Sequence, residues 1–266
     1  MIHNTVAPVS VVIPCWRCSQ TIYRAVNSIF IQTIRPAEIL LVDDSSGDET
    51  LATLTAIVSQ YKSGWIRVVA LEKNIGPGGA RNAGWENATQ PWLAFLDADD
   101  VWHPQKIEIQ YGWIMQQSGV YLCGHNTIVV SMEYDWQKIS FKPKTWQVNF
   151  WHMLIANRFY TRTVMLRRDL PFRFGGKSVT EDYLLWLQVL LSGYKCFRLD
   201  APLAMSFRPD ASPGGYSGQL WHHEKRELRA WLELRRQRAI STLTVCIALA
   251  WSLIKYLRRS LRAMLK

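Results

Sequence analysis

Residues 90–100 read QPWLAFLDADD, an apolar run from Trp92 to Leu96 that stops abruptly at Asp97, Asp99 and Asp100. A short, continuously apolar run bounded by turn residues is a buried strand, and three carboxylates at its end make a hard-oxygen site. Acids this crowded repel one another unless a cation neutralises them, and their oxygens suit Mg²⁺ or Mn²⁺ better than zinc. A divalent ion there would hold a phosphate. The same residues also read as an acidic turn capping the next helix, because Pro104 suits a helix's first position and carboxylates favour helix N-termini.

Working outward, the first hundred residues alternate short apolar strands with helical patterns, the order of a parallel α/β sheet. The pattern predicts strands at Val9–Ile13, Glu38–Val42, Ile66–Ala70 and Trp92–Leu96, with helices at Ser19–Gln32, Asp48–Tyr61 and Gly79–Asn87. Ligands of such sheets bind at the carboxyl ends of the strands. The loops at those ends are PCWRC, DDSSGDET, EKNIGPGGARNAG and DADD, so the polar chemistry gathers on one edge. A helix follows Pro104 to about Gln117. Strands are expected near Tyr121–Ser131 and Phe159–Leu166, with an aromatic helix near Trp146–Asn157. A helix from near Thr180, closed by Gly193, precedes short strands at Lys195–Arg198 and Leu203–Phe207. PDASPGGYSG then reads as a flexible loop, followed by helices at Gly218–Arg238 and Ala239–Lys266.

The chain has 266 residues, 48% of them hydrophobic, which suffices for one large domain or a domain with an appendage and excludes a disordered protein. Its +10 formal charge is uneven: His222–Lys266 carries eleven Lys and Arg against three Glu, a surplus of eight. That asymmetry argues against nucleic acid as partner and for one basic appendage meeting an anionic surface. Five mostly scattered cysteines and the lack of a basic, apolar leader in MIHNTVAPVS lead to the expectation of a cytoplasmic protein.

Each motif has a plain structural reading beside its functional one. Asp43 and Asp44 end a strand, where a carboxylate can accept from a ribose hydroxyl or a base N–H, yet VDDSSGDET is also a turn and helix cap. GPGGARNAG is not a dinucleotide fingerprint, because Arg81 stands where the third glycine is required. Its glycines permit close backbone approach, and Arg81 can meet a phosphate bidentately. Cys15 and Cys18 in CWRC read as buried free thiols rather than a redox pair or zinc site. Glu181 and Asp182 open a helix, where acids are expected for the dipole alone. His103, His125 and His152 have no metal-ligand spacing.

Taken in order, SVVIPCW, EILLVDDSSGDET, NIGPGGARNAG, LAFLDADDVWHPQKIEIQ and TEDYLLWLQ resemble glycosyltransferase family 2, the inverting nucleotide-sugar transferases of GT-A fold, over about Pro8–Phe207. The resemblance implies a Rossmann-like α/β fold with a mostly parallel central sheet. Residues 1–207 would form the catalytic domain, with a nucleotide-sugar half at about 1–103 and an acceptor half at about 104–207. It implies that Pro14, Asp43 and Asp44 contain the nucleoside, that Arg81 lies near the nucleotide sugar, that Asp97 contacts ribose or a metal-bound water, that Asp99 ligates Mg²⁺ or Mn²⁺, and that Asp182 is the catalytic base. Arg208, the first residue of the loop at 208–218, is a further phosphate-binding candidate. Uridine is the expected carrier. Gln188 stands where many relatives have an arginine, and the QxxRW element of processive relatives is absent, so one sugar per encounter is expected. A sugar nucleotidyltransferase and a non-catalytic nucleotide-sugar-binding scaffold are the rival readings.

At the C-terminus, Leu243, Ile247, Trp251, Ile254, Leu257, Leu261 and Leu265 recur at helical spacing, with Lys255, Arg258, Arg259, Arg262 and Lys266 on the other side. The uncharged run Ala239–Ile254 is sixteen residues, short of the roughly twenty that span a bilayer. Residues 219–266 are therefore expected to form a basic helical tail, the rival reading being a helix that packs its apolar stripe on the catalytic domain or on a second subunit. The tail would lie on an anionic membrane and suit a lipid-linked or oligosaccharide acceptor at the cytoplasmic face of the inner membrane, in bacterial surface polysaccharide synthesis.

Overall fold

The computed structural model describes residues 6–61, 64–130, 136, 142–176, 179–207 and 220–264. Arg208 and the loop expected at 208–218 lie outside the described residues. The first half follows the predicted alternation: β1 (Val6–Cys15), α1 (Ile22–Phe30), β2 (Arg35–Asp43), α2 (Thr50–Ser59), β3 (Ile66–Ala70), α3 (Gly76–Asn87) and β4 (Trp92–Phe95). These strands stand in the order β3-β2-β1-β4, all parallel, so their carboxyl ends share one edge. Inward residues of β1, β2 and β4 are fully buried, as a sheet covered on both faces requires. Packing of α3 is close: a Cβ on Gly84 would lie 2.3 Å from Val12 Cγ1, so only glycine lets this helix reach the sheet.

The second half is β5 (Val101–Trp102), α4 (Lys106–Met115), β6 (Val120–Val129), β7 (Thr145–Val148), α5 (Phe150–Ile155), β8 (Met165–Arg167), α6 (Glu181–Leu191) and β9 (Lys195–Ser206). The sheet continues β4-β8-β6-β9-β5, with β7 also on β9. Here β8 is antiparallel to β4 and β6, while β6 and β9 form a long parallel ladder. The fold is thus α/β with a mixed, mostly parallel central sheet.

Three expected elements of this half are corrected. The aromatic helix is split, because Asn149 forms a capping box with His152 that starts α5 there and leaves Trp146 in β7. Phe159–Leu166 is not a strand: Thr161–Thr163 forms a 3₁₀ turn, and β8 begins at Met165. The two strands expected after Lys195 are one, and Pro202 falls where the β6–β9 register shifts.

Two helices close the described chain, α7 (Leu220–Arg236) and α8 (Thr242–Met264). The expected tail is not a separate appendage. Ala230, Trp231 and Leu234 of α7 and Val245 and Ala248 of α8 are buried in the same core as β4, α5 and α6. Trp231 meets Tyr183 and Phe150 edge-on, with centroids 5.6 and 6.0 Å away. The cationic side of α8 is also used inward. Lys255 Nζ lies 2.5 Å from Glu227 Oε1 and Arg259 Nη2 2.6 Å from Glu224 Oε2, both carboxylates buried on α7. The apolar stripe faces out: Leu243, Ile254, Leu257 and Leu261 are all exposed.

Candidate active site

Of the expected site residues among those described, Pro14, Asp43, Asp44, Asp97 and Asp99 lie at or just beyond the carboxyl ends of parallel strands, whereas Arg81 lies within α3 and Asp182 in the first turn of α6. Pro14 lies in the last turn-ward stretch of β1, paired with Val42 of β2. Asp43 ends β2 and accepts a hydrogen bond from Ser46 Oγ. Asp44 is more committed than its sequence position indicates. Its Oδ1 accepts from Ile75 N and its Oδ2 from Gly76 N, each at 2.8 Å, so the carboxylate ties β2 to the start of α3. Arg17 and Ser45, just beyond β1 and β2, adopt left-handed φ values of 48° and 54°. For residues with a Cβ this backbone is uncommon and is held here by Arg17 N donating to Ser46 Oγ at 3.2 Å.

The second turn of α3 carries Arg81 inward. Its Nη2 is 2.6 Å from Asp97 Oδ1, and its guanidinium carbon is 5.5 Å from the centre of the Phe174 ring. Burial opposes the charge on Arg81, but Asp97, Glu181 and Asp182 outweigh it and hold the guanidinium protonated. Arg81 thus meets a carboxylate where the sequence also allowed a phosphate. Asp97 keeps 27% of its side chain exposed. Asp100, by contrast, is buried and 3.5 Å from Arg162 Nη1. Burial raises its pKa, Arg162 opposes, and Asp97 and Asp99 add repulsion, leaving it at about 7. Asp99 is half-buried, and its carbonyl accepts from Arg24 Nη2 at 2.9 Å.

Across from these, Asp182 opens α6. Its Oδ2 accepts from Asn157 Nδ2 at 3.5 Å and Thr161 Oγ1 at 3.4 Å. Burial raises its pKa, Arg81, the Tyr183 amide and His223 oppose, and Asp97 adds to the rise. Arg81 binds Asp97, and α3 packs at Gly78 against Glu181, so the fold brings the QPWLAFLDADD and TEDYLLWLQ segments together around α3. Neighbouring Glu181 is clamped by Arg226 of α7, whose Nη2 is 3.2 Å from Oε1 and whose Nε donates to Val179 O. Gly78 of α3 lies against the same segment, since a Cβ there would meet Gly175 O at 2.7 Å.

Sequence reasoning missed Asn157, Thr161, Arg162, His223 and Arg226. None stands in a local pattern, and only α5, the 3₁₀ turn and α7 bring them here. The Cys15 thiol is buried, and burial with Cys18 beside it pushes its pKa well up, the opposite of the shift that activates a redox nucleophile. Among the described residues no group of three or more His, Cys, Asp and Glu forms a ready metal cage.

The family model described as glycosyl transferase family 2 matches residues 10–185. The chain is 32% identical over 193 residues to the Escherichia coli UDP-Glc:alpha-D-GlcNAc-diphosphoundecaprenol beta-1,3-glucosyltransferase WfaP, covering 70% of this chain and 72% of that one. It superposes on S. aureus TarS 1-349 in complex with UDP-GlcNAc with a TM-score of 0.69 at 20% identity, over 92% of this chain and 71% of that one. The mannosyltransferase PcManGT from Pyrobaculum calidifontis, in complex with GDP-Man and Mn²⁺, gives 0.64 at 15% identity over 96% and 75%. With the family model spanning most of the chain and the relative aligned through both carboxylate segments, the protein belongs to glycosyl transferase family 2.

Proposed function

We propose that this glycosyltransferase moves one sugar from a UDP-sugar to a hydroxyl of a lipid-linked glycan, with inversion, in bacterial surface polysaccharide synthesis at the cytoplasmic face of the membrane. One observation carries the reading: Asp182 is held by Asn157 and Thr161, with its pKa raised, beside the Arg81–Asp97 pair. A carboxylate of raised basicity at that point is placed to take a proton from an acceptor hydroxyl. As that oxygen bonds to the anomeric carbon, the bond from this carbon to the diphosphate oxygen breaks on the opposite face, and configuration inverts.

Pro14 and Asp43 line the nucleoside side, and Asp44 acts by fixing the Ile75–Gly76 turn against it. Arg81 orients Asp97 and counters the charge of Asp182. The acids after β4 fit a divalent cation: Asp99 would be its ligand with Asp97 nearby, and Asp100 bears the repulsion of both. Mg²⁺ or Mn²⁺ needs only one or two carboxylates when substrate phosphates and water complete the shell. Such an ion supplies charge neutralisation to the departing diphosphate. PcManGT, bound to GDP-Man and Mn²⁺, supports this, and WfaP, whose name specifies a UDP-sugar and a diphosphoundecaprenol acceptor, supports the substrate classes.

Membrane association is carried by the outward apolar stripe of α8. Among the described residues no helix is long and apolar enough to cross a membrane. The test is UDP release from a panel of UDP-sugars with Mn²⁺ or EDTA, with lipid extract, and with Asp99→Ala and Asp182→Asn. Release requiring metal, lipid and both carboxylates is expected. Donor binding without release under any condition would sink the reading in favour of a scaffold.

A further inference from the structure

Beside Asp182, a cleft of about 170 Å³ opens between α5, α6, α7 and α8. Its inner wall holds Asn157, the residue that reaches Asp182, together with Tyr183. It is also lined by Lys255 and Arg259 of α8, with His223 and the Glu227 carboxylate of α7 beside them. At ~30 Å³ per water, the volume is that of a handful of waters or one sugar ring.

We propose that this cleft is the acceptor site, taking the first sugar of a lipid-linked acceptor against Asn157 and Tyr183 and its phosphate on Lys255 and Arg259. The assignment rests on the lipid-linked reading above. Three features support it. The two cations are fixed in place, because Glu227 and Glu224 are buried on α7 and each grips one of them. Their donors are not used up: an ammonium has three N–H groups and a guanidinium five, and the bonds to Glu227 and Glu224 run from one nitrogen of each. Phosphate oxygens accept such charge-assisted bonds strongly. Finally, the cleft runs onto apolar surface. Half-exposed Ile155 lines it, and Trp251 and Ile254 stand exposed on the adjoining side of α8. A ligand with its sugar at the base, phosphate at the rim and hydrocarbon beyond matches that sequence of surfaces.

The test titrates the full chain with two probes. One is N-acetylglucosamine joined through diphosphate to a short isoprenoid; the other is octyl N-acetylglucosaminide, which keeps sugar and hydrocarbon but lacks phosphate. Arg259→Gln, and the paired change Lys255→Gln with Glu227→Gln that leaves no buried carboxylate stranded, should each weaken the diphosphate probe about tenfold or more. Binding of the octyl glycoside should change less than about twofold on the same scale. Equal weakening of both probes, or of neither, overturns the site. Loss of binding to phosphatidylglycerol vesicles with the diphosphate probe unchanged overturns it too, assigning the cations to a lipid headgroup. If the unsubstituted chain binds neither probe, the lipid-linked reading fails and the site with it; binding retained in both variants removes the site alone.

Discussion

Arg81 Nη2 stands 2.6 Å from Asp97 Oδ1, joining the first turns of α3 to the acidic end of β4. The pair fixes which way Asp97 points before any ligand arrives. It also sets a buried cation among Asp97, Glu181 and Asp182, whose mutual repulsion it counters. Removing one partner of a buried pair leaves the other uncompensated, at a cost of about 3 kcal/mol. Because Asp97 retains some solvent, Arg81→Gln is expected to lower unfolding free energy by about 2 kcal/mol. Donor affinity should fall with it. An unchanged denaturation midpoint with normal donor binding would show the pair to be incidental.

The raised pKa of Asp182 couples activity and stability in opposite directions. Only the ionised carboxylate takes a proton, so the acid limb of kcat/KM should lie above the ordinary carboxylate range, and it should disappear in Asp182→Asn. The rate should drop by roughly 10²–10⁴. For stability, a folded pKa above the unfolded one favours the native state while the group is protonated. That advantage is lost as pH rises through the folded value. Above the ordinary carboxylate range the raised value is therefore a burden, and Asp182→Asn should unfold at a higher temperature than the parent. A variant that is both less active and less stable at pH 7 would contradict burial as the dominant cause.

Much of this was legible in local pattern. The runs at Val9, Glu38, Ile66 and Trp92 became β1 to β4, because apolar continuity and flanking turn residues are local signals. Asp97 and Asp182 were legible by their positions at element ends. Elsewhere, tertiary demand overrode the pattern. The Phe159–Leu166 segment bends into a 3₁₀ turn that points Arg162 at Asp100 and gives its carbonyl to Trp102 Nε1, neither of which its apolar residues foretell. Lys255 and Arg259 read as a solvated face because their partners, Glu224 and Glu227, lie a helix away. The basic surplus of the C-terminal segment is therefore partly structural.

Glu38 offers a test of the scaffold distinct from the site. It accepts from Ser10 Oγ at 2.6 Å, Thr89 N at 2.6 Å, Thr89 Oγ1 at 2.7 Å and Arg67 Nη2 at 2.8 Å, joining β1, β2, β3 and the turn before β4. Burial opposes its charge, but the hydrogen bonds from Ser10, Thr89 and Arg67 outweigh it and hold the pKa at about 2. With the folded value below the unfolded one, the stabilisation is present above about pH 4.5 and is lost as pH falls toward 2. Glu38→Gln should cost on the order of 2 kcal/mol at neutral pH and flatten the acid side of the stability profile. Parent and variant curves that stay parallel from pH 5 to about 2.5 would exclude Glu38 as its source.

The outward face of α8 separates two occupants, membrane and second copy. Leu243, Leu257 and Leu261 are 71%, 59% and 60% exposed, and Trp221 packs on Tyr256 with ring centroids 5.4 Å apart, carrying an aromatic surface beside them. Full burial of a leucine is worth about 1.5–3 kcal/mol, so covering two already half-covered ones contributes about 2 kcal/mol, or some thirtyfold in partitioning. Leu257→Asp with Leu261→Asp should abolish sedimentation with anionic vesicles while leaving the fold and UDP-sugar binding intact, since neither residue touches the core. Parent protein that stays monomeric in sedimentation equilibrium yet pellets with vesicles supports the membrane. Were the parent a dimer that the double variant splits, with vesicle binding absent in both, the stripe would belong to a subunit interface, and the acceptor would have to reach Asp182 from solution.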